Sequence, residues 1–211
     1  MIRVLVSDDH AVLRTGVTKI LTHGLEGAVC GEAGNAEEIL EQVQNHEWDL
    51  VILDINMPGR SGIEVLREIR RLRPGLPVLV LSMHAEDQYG KRVLRTGASG
   101  YMNKNVAPEE LTKAVHKVLS GGRYVSPALA EKLAFDLTSA NAGQAAHEAL
   151  SEREFEVLRL IASGKTVSEI AETIHLSVAT VSTYRARILL KMNMTTTVEL
   201  IRYGIENRLV D

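Results

Sequence analysis

The sequence predicts two folds in series. The first is an α/β domain on a doubly wound, five-stranded parallel sheet, and the second is an all-α domain. Three observations carry this. Over the first 120 residues, short apolar runs alternate with segments of helical spacing. Two of those runs end in carboxylates, Asp8-Asp9 and Asp54. After residue 150 the strand signal stops and only helical spacing remains.

Each element has its own reason. Residues 2–8 read as an apolar strand. Val12, Val17, Ile20 and Leu21 mark a helix over 11–21. A short strand over 28–33 holds the one cysteine, Cys30, as a small core residue. A helix over 36–45 has Asn35 as its N-cap. Leu50-Val51-Ile52-Leu53 is a continuous apolar run, the pattern of a strand buried on both faces of a parallel sheet. Pro58-Gly59 then turns the chain. Ile63, Leu66 and Ile69 form one face of a helix over 62–73, stopped by Pro74-Gly75. A strand over 78–82, a helix over 87–95, a strand over 99–103 and a helix over 108–120, with Pro in its first turn, complete five strand–helix pairs. Residues 126–137 read as a short helix that can pack on either domain. Residues 138–149 offer little that could build a core and read as a flexible linker. The expected division is therefore a first domain over 1–122, a linker over 123–149 and a second domain over 150–211. Helices are expected there over 151–163, 167–174, 178–192 and 197–207, the last with Val198, Ile201 and Ile205 as core positions.

Composition excludes several classes. With 211 residues and 45% hydrophobic content, the chain can bury a core. A net charge of −3 does not advertise a nucleic-acid partner, and residues 150–211 hold eight Lys/Arg against eight Asp/Glu. Any affinity for nucleic acid must come from how charge is arranged. One cysteine permits no internal disulfide. The N-terminus has no signal-peptide pattern, and no apolar stretch approaches the roughly 20 residues that span a bilayer. The expectation is a soluble cytoplasmic protein with no membrane partner.

The strand ends carry the chemistry. Asp54 follows a central strand, where open α/β sheets place their ligand sites. Asp8 and Asp9 follow another strand of the same sheet. Three carboxylates at one edge repel each other, and a hard cation such as Mg²⁺ relieves that. Ser82 ends the fourth strand and Lys104 follows the fifth. The set suits phosphoryl transfer, with Asp54 as nucleophile and Lys104 and Ser82 gripping phosphoryl oxygens. Taken singly, a strand-end Asp is an ordinary turn residue and a Lys an ordinary surface charge. The conjunction of all of them in order carries the reading.

In these residues, residues 1–122 resemble the receiver domains of two-component response regulators, which have a flavodoxin-like fold. Asp8-Asp9 matches the acidic pair, Asp54 the phospho-acceptor, Ser82 the switch hydroxyl, Tyr101 the switch aromatic and Lys104 the lysine. The resemblance implies Mg²⁺ held by the Asp9 and Asp54 carboxylates and the Asn56 backbone carbonyl, with Asp8 acting through water. Asn105 stands where many receivers have proline. His84 and His10, near the site, are surface histidines or tuners of the phosphoryl group's lifetime.

The second domain carries another pattern. A short amphipathic helix over 167–174 is followed by His175-Leu176-Ser177, with Ser177 as N-cap of the next helix. That helix has apolar Val181, Ile188, Leu189 and Met192 on one side. The other side presents Ser182, Thr183, Arg185, Ala186, Arg187 and Lys191, with three basic residues and no acid. Thr180 and Lys165 complete the candidate DNA contacts. Two helices and a tight turn also occur in structural bundles. Here Leu150-Ser151-Glu152-Arg153-Glu154-Phe155-Glu156-Val157-Leu158, with Ile170-Ala171, Leu176-Ser177 and Thr180-Val181, resembles LuxR-type helix-turn-helix domains. Val167-Ser168 replaces the usual Asn-Lys, and Met192 a common Leu. Together the halves resemble the NarL/FixJ class of response regulators. That resemblance implies a phosphorylation-switched DNA-binding regulator, a sensor histidine kinase as phosphoryl source, inverted-repeat double-stranded DNA, a dimer on phosphorylation, and a receiver that masks the recognition helix until then. The rival is a phosphatase or phosphotransferase using Asp54 as covalent nucleophile. Haloacid-dehalogenase-like enzymes carry a general acid two residues after that Asp; here the position is Asn56, which cannot protonate a leaving group.

Overall fold

The computed structural model describes residues 1–57, 60–83, 86–138 and 146–210, without the side chains of 87, 88 and 136–138. The turn at Pro58-Gly59, His84 and residues 139–145 lie outside the described residues. The chain divides into two compact units, Met1–Thr138 and Ser139–Asp211.

The first unit is the expected doubly wound sheet. In chain order it contains β1 (Ile2–Ser7), α1 (Ala11–Gly24), β2 (Ala28–Ala33), α2 (Ala36–Asn45), β3 (Leu50–Leu53), α3 (Gly62–Leu72), β4 (Val78–Ser82), α4 (Glu86–Arg95), β5 (Gly100–Asn103), α5 (Pro108–Leu119) and α6 (Pro127–Thr138). The strands lie in the order β2-β1-β3-β4-β5, all pairs parallel. β3 and β4 are buried along their whole length, as continuous apolar runs require. Asn35 caps α2 by accepting from the Glu38 N–H, and Ser61 caps α3 by accepting from the Ile63 N–H. One face of the core joins Val4, Val6, Leu50, Ile52 and Leu79 of the strands to Val17, Leu21, Leu111 and Val115 of α1 and α5.

Two expectations for this unit need correction. Val12 is 88% exposed, so α1 turns its core stripe through Val17 and Leu21 and leaves its first turn outside. Cys30 is half-buried because β2 is an edge strand. The short helix expected over 126–137 is α6, which packs on α4 through Leu129, and Tyr124 ahead of it bridges to Gly100 of β5.

Among the described residues, the second unit contains a 3₁₀ turn, Ala146–Ala149, followed by α7 (Glu152–Ala162), α8 (Val167–Thr173), α9 (Val178–Lys191) and α10 (Thr197–Glu206). His147 ties the turn to this unit: its ring pairs with the Tyr203 hydroxyl at 2.9 Å and packs on Phe155. Capping boxes start α7 (Ser151, Glu154), α8 (Thr166, Glu169) and α10 (Thr196, Glu199). The core comprises Phe155, Leu158, Ile170, Val181, Ile188 and Leu200.

α10 corrects another expectation. Val198 is 73% exposed and Ile205 60%, while Ile201 is half-buried. The buried line is Leu200 and Gly204. A Cβ on Gly204 would collide with the Ala162 side chain, so α10 meets α7 backbone-close at a glycine. Size-based reasoning favours the large apolar residues and overlooks such a line.

Candidate phosphoryl-acceptor site and DNA-facing helix

The reversal of strand order at β1 and β3 leaves a crevice at their carboxyl ends. Backbone hydrogen bonds carry the loops into it: the Asp8 N–H donates to Ala33 O at 3.2 Å, the Asp54 N–H to Ser7 O at 3.1 Å, and the Lys104 N–H to Ser82 O at 2.8 Å. The three β-strand ends and the β5–α5 loop are thereby held in register. Arg14 Nη1 donates to Asp8 O at 2.6 Å while its Nε meets Glu32, bracing the β1–α1 loop.

Lys104 is the centre of the site. Its ammonium lies 2.5 Å from Asp8 Oδ2 and 2.8 Å from Asp54 Oδ2, and its side chain is only 3% exposed. Asp54 is almost fully buried, and its Oδ1 accepts from the Asn56 N–H at 3.1 Å. Asp9 stands at the mouth, where His10 Nδ1 is 2.6 Å from its Oδ1 and 3.3 Å from Asp8 Oδ1. Ser82 is buried at the end of β4, and Tyr101 is buried within β5. The structure thus brings Asp8, Asp54 and Lys104 into contact, puts Asp9 beside them, and sets Ser82 at the same sheet edge.

Electrostatics follow from this packing. Burial pushes the Asp54 carboxyl up to about 6, with Asp8 adding to the shift, against the opposing pull of Lys104 and the Asn56 N–H. Burial alone would lower the Lys104 ammonium, but the Asp54 and Asp8 carboxylates outweigh it and raise it. The Asp9 carboxylate raises His10. Asp9 Oδ1 and Asp54 Oδ2 have these ionic neighbours, yet no aligned hydrogen bond reaches either buried oxygen. Oxygen donors with spare lone pairs, grouped at one edge with Asp8, Asp9 and His10 within mutual reach, suit a hard divalent cation.

Gly62 is a supporting residue that sequence reasoning missed. A Cβ there would run into the backbone carbonyl of Asp54. The first residue of α3 can therefore lie against the acceptor loop only as glycine. Arg14 was missed too, because an arginine on a helix reads as solvated charge. No sequence signal marks either residue without the fold.

In the second unit, α8 and α9 meet through a turn in which His175 takes φ 54 and the Leu176 N–H donates to Ala171 O at 2.9 Å. Ser177 caps α9, accepting from the Thr180 N–H at 3.1 Å. Thr183, Ala186 and Arg187 are exposed; Thr180, Ser182 and Arg185 are half-buried, and Arg185 Nε is enclosed without a hydrogen bond. Lys165 is exposed and donates to the Thr173 hydroxyl. Lys191 is committed within the domain: its ammonium lies 2.6 Å from Glu154, a carboxylate buried to 2% exposure. Burial alone would raise the Glu154 carboxyl, but hydrogen bonds from Lys191 and Ser151 outweigh it and hold it below the usual range. Lys191→Met should therefore lower the stability of the second unit by about 1–3 kcal/mol, by stranding that carboxylate, and leave the salt dependence of DNA binding unchanged. Urea unfolding and a salt titration of binding check the two parts; a slope reduced by about 1 would make Lys191 a phosphate contact instead.

Fold and site define a class: a doubly wound domain with a lysine-paired carboxylate crevice, joined to a helix-turn-helix module. Comparison with known proteins agrees. Residues 4–116 match the response regulator receiver domain family, and residues 148–204 match the bacterial regulatory proteins of the luxR family. Response regulator GacA of Pseudomonas aeruginosa is 37% identical over 212 residues, covering 100% of this chain and 99% of that protein. Response regulator UvrY of Escherichia coli is 35% identical over 211 residues, covering 98% and 97%. A solved structure of the RcsB response regulator from Salmonella typhimurium is 27% identical with TM-score 0.67 over 98% of each chain. A structure of an RcsB–DNA complex is 27% identical with TM-score 0.59 over 96% of each. The chain belongs to the response regulators of the NarL/FixJ class, with a receiver domain and a LuxR-type DNA-binding domain.

Proposed function

We propose that this response regulator binds DNA under control of phosphoryl transfer from a partner sensor histidine kinase to Asp54. The observation that carries the reading is the Asp54–Lys104 pair at 2.8 Å, buried at the switch point of the sheet. An incoming phosphoryl group adds negative charge to a carboxylate whose neighbouring ammonium is in place to pair with it. Ser82, at the same edge, donates to a second phosphoryl oxygen, and Tyr101 follows inside β5. Asp9, Asp54 and the Asn56 carbonyl would hold Mg²⁺, with Asp8 acting through water; the ion would offset charge on the attacking carboxylate. The site stops at a phosphorylated protein and turns over no separate substrate, because Asn56 offers no proton to a leaving group. The proposed place of action is the cytoplasm; among the described residues, no helix is long and apolar enough to cross a membrane.

DNA recognition is assigned to α9, with Lys165 ahead of α8. Ser182, Thr183 and Ala186 face base edges, while Arg185, Arg187, Thr180 and Lys165 face the phosphate backbone. The exposed Val198 and Ile205 on α10 support pairing of two copies and an inverted-repeat target. The solved structure of two RcsB dimers bound to two parallel DNAs, a protein similar to this one, supports that reading. The test uses a fragment spanning 145–211. It should bind duplex DNA without phosphorylation, select twofold-symmetric sites, and lose affinity for all sequences when Arg187→Ala is introduced, with the salt slope reduced by roughly 1. Failure to bind any duplex at low salt would refute DNA binding; asymmetric selected sites would refute the dimer.

A further inference from the structure

The α4–β5–α5 face of the first unit is covered by the chain's own continuation. Beyond α5 the chain reverses at Gly121, whose φ is 84, and lays Tyr124 along the free edge of β5. The Tyr124 N–H donates to Ser99 O at 3.0 Å, and the Tyr101 N–H donates to Tyr124 O at 3.2 Å. The Tyr124 hydroxyl donates to Glu110 of α5 at 2.7 Å, and Lys117 lies 6.0 Å from the ring centre. Ser126 then bonds Glu86, the first residue of α4, and accepts from the Leu129 N–H at 3.1 Å, which starts α6. Leu129 is 2% exposed over Gly90 of α4, where a Cβ would fall 2.6 Å from its Cδ2. The seat for Leu129 exists because residue 90 is glycine.

One of these anchors holds a residue that would respond to phosphorylation: the Tyr101 amide itself donates to Tyr124 O. Another, Glu86, opens the helix that follows β4 and its terminal Ser82 in the chain. Tyr101 is fully buried and its amide is bonded to Tyr124, so a shift of Tyr101 pulls on that anchor. We propose that residues 123–138 form a strap that phosphorylation of Asp54 releases from α4, a device that rests on the phosphoryl-switch reading above. Packed contacts of this kind exchange between discrete arrangements and do not stretch. Unseating Leu129 frees α6, whose C-terminus runs on in sequence to the DNA-binding unit.

Hydrogen exchange of the full chain tests this, before and after treatment with acetyl phosphate and Mg²⁺, with intact mass confirming phosphorylation in the same sample. Amides of 127–135 should exchange about tenfold faster after phosphorylation, as expected for a locally opened segment. The Asp54→Ala chain should show no change. Leu129→Ala should raise exchange in α6 by a similar factor without phosphorylation, and phosphorylation should then add little. Unchanged α6 protection in a fully phosphorylated sample overturns the strap and leaves the phosphoryl switch standing. A sample that takes up no phosphoryl group overturns both.

Discussion

Asp54→Asn should abolish phosphoryl incorporation from acetyl phosphate and, in metal-free buffer, make the first unit more stable at neutral pH. The first effect follows from geometry: among the described residues, no other carboxylate is as deeply buried against Lys104 at the sheet edge. The second follows from linkage. Burial raises Asp54 from 3.8 to about 6. The folded chain therefore holds this proton more tightly than the unfolded chain does. The resulting stabilisation is complete below pH 3.8 and is lost as pH rises through about 6. Above that range the folded chain keeps a costly buried carboxylate, and the amide removes it. The gain should reach about 3 kcal/mol at most near pH 7.5 and vanish near pH 4. Trp48, the single tryptophan, lies in the first unit and reports its unfolding by fluorescence. A variant no more stable than the parent at neutral pH would remove burial as the dominant effect at Asp54; label incorporated at the parent rate would remove Asp54 as acceptor.

Lys104→Met should be the most damaging single change at the site. The ammonium separates two buried carboxylates, Asp8 and Asp54, and its loss leaves both unpaired and facing each other. Breaking a buried pair by removing one partner costs about 3–5 kcal/mol. The cost should shrink below about pH 6, where Asp54 takes a proton. It should also shrink in the Asp54→Asn background, because one stranded charge is then absent. A double-mutant cycle followed by Trp48 fluorescence measures that coupling. Equal cost in both backgrounds would mean that the Lys104–Asp54 pair contributes nothing. In the DNA-binding assay, phosphorylated Lys104→Met should gain less affinity than phosphorylated parent, since the pairing that would stabilise the switched state is gone. An equal gain would refute that role.

Local pattern was enough for the secondary structure and for the residues at the strand ends. Continuous apolar runs specify β3 and β4 because a doubly covered sheet leaves no solvent face. Asn35 and Ser177 specify helix starts because an orphan N–H needs an acceptor nearby in sequence. Asp8, Asp9, Asp54, Ser82 and Lys104 could be collected at one edge because every strand of a parallel sheet ends on the same side. Which of them touch, and how strongly burial perturbs Asp54, came only with packing. The same holds for Lys191, a basic residue on the recognition helix by pattern and a partner of Glu154 by contact. Gly62, Gly90 and Gly204 show why. Each matters for the atom it lacks, and the space left by a missing Cβ acquires meaning only when Asp54, Leu129 or Ala162 arrives from elsewhere in the chain. Periodicity and capping act over a few neighbouring residues, and so can be read along the chain. Burial, ion pairing and close approach depend on how the tertiary fold brings residues together, as the 37-residue separation of Glu154 and Lys191 illustrates.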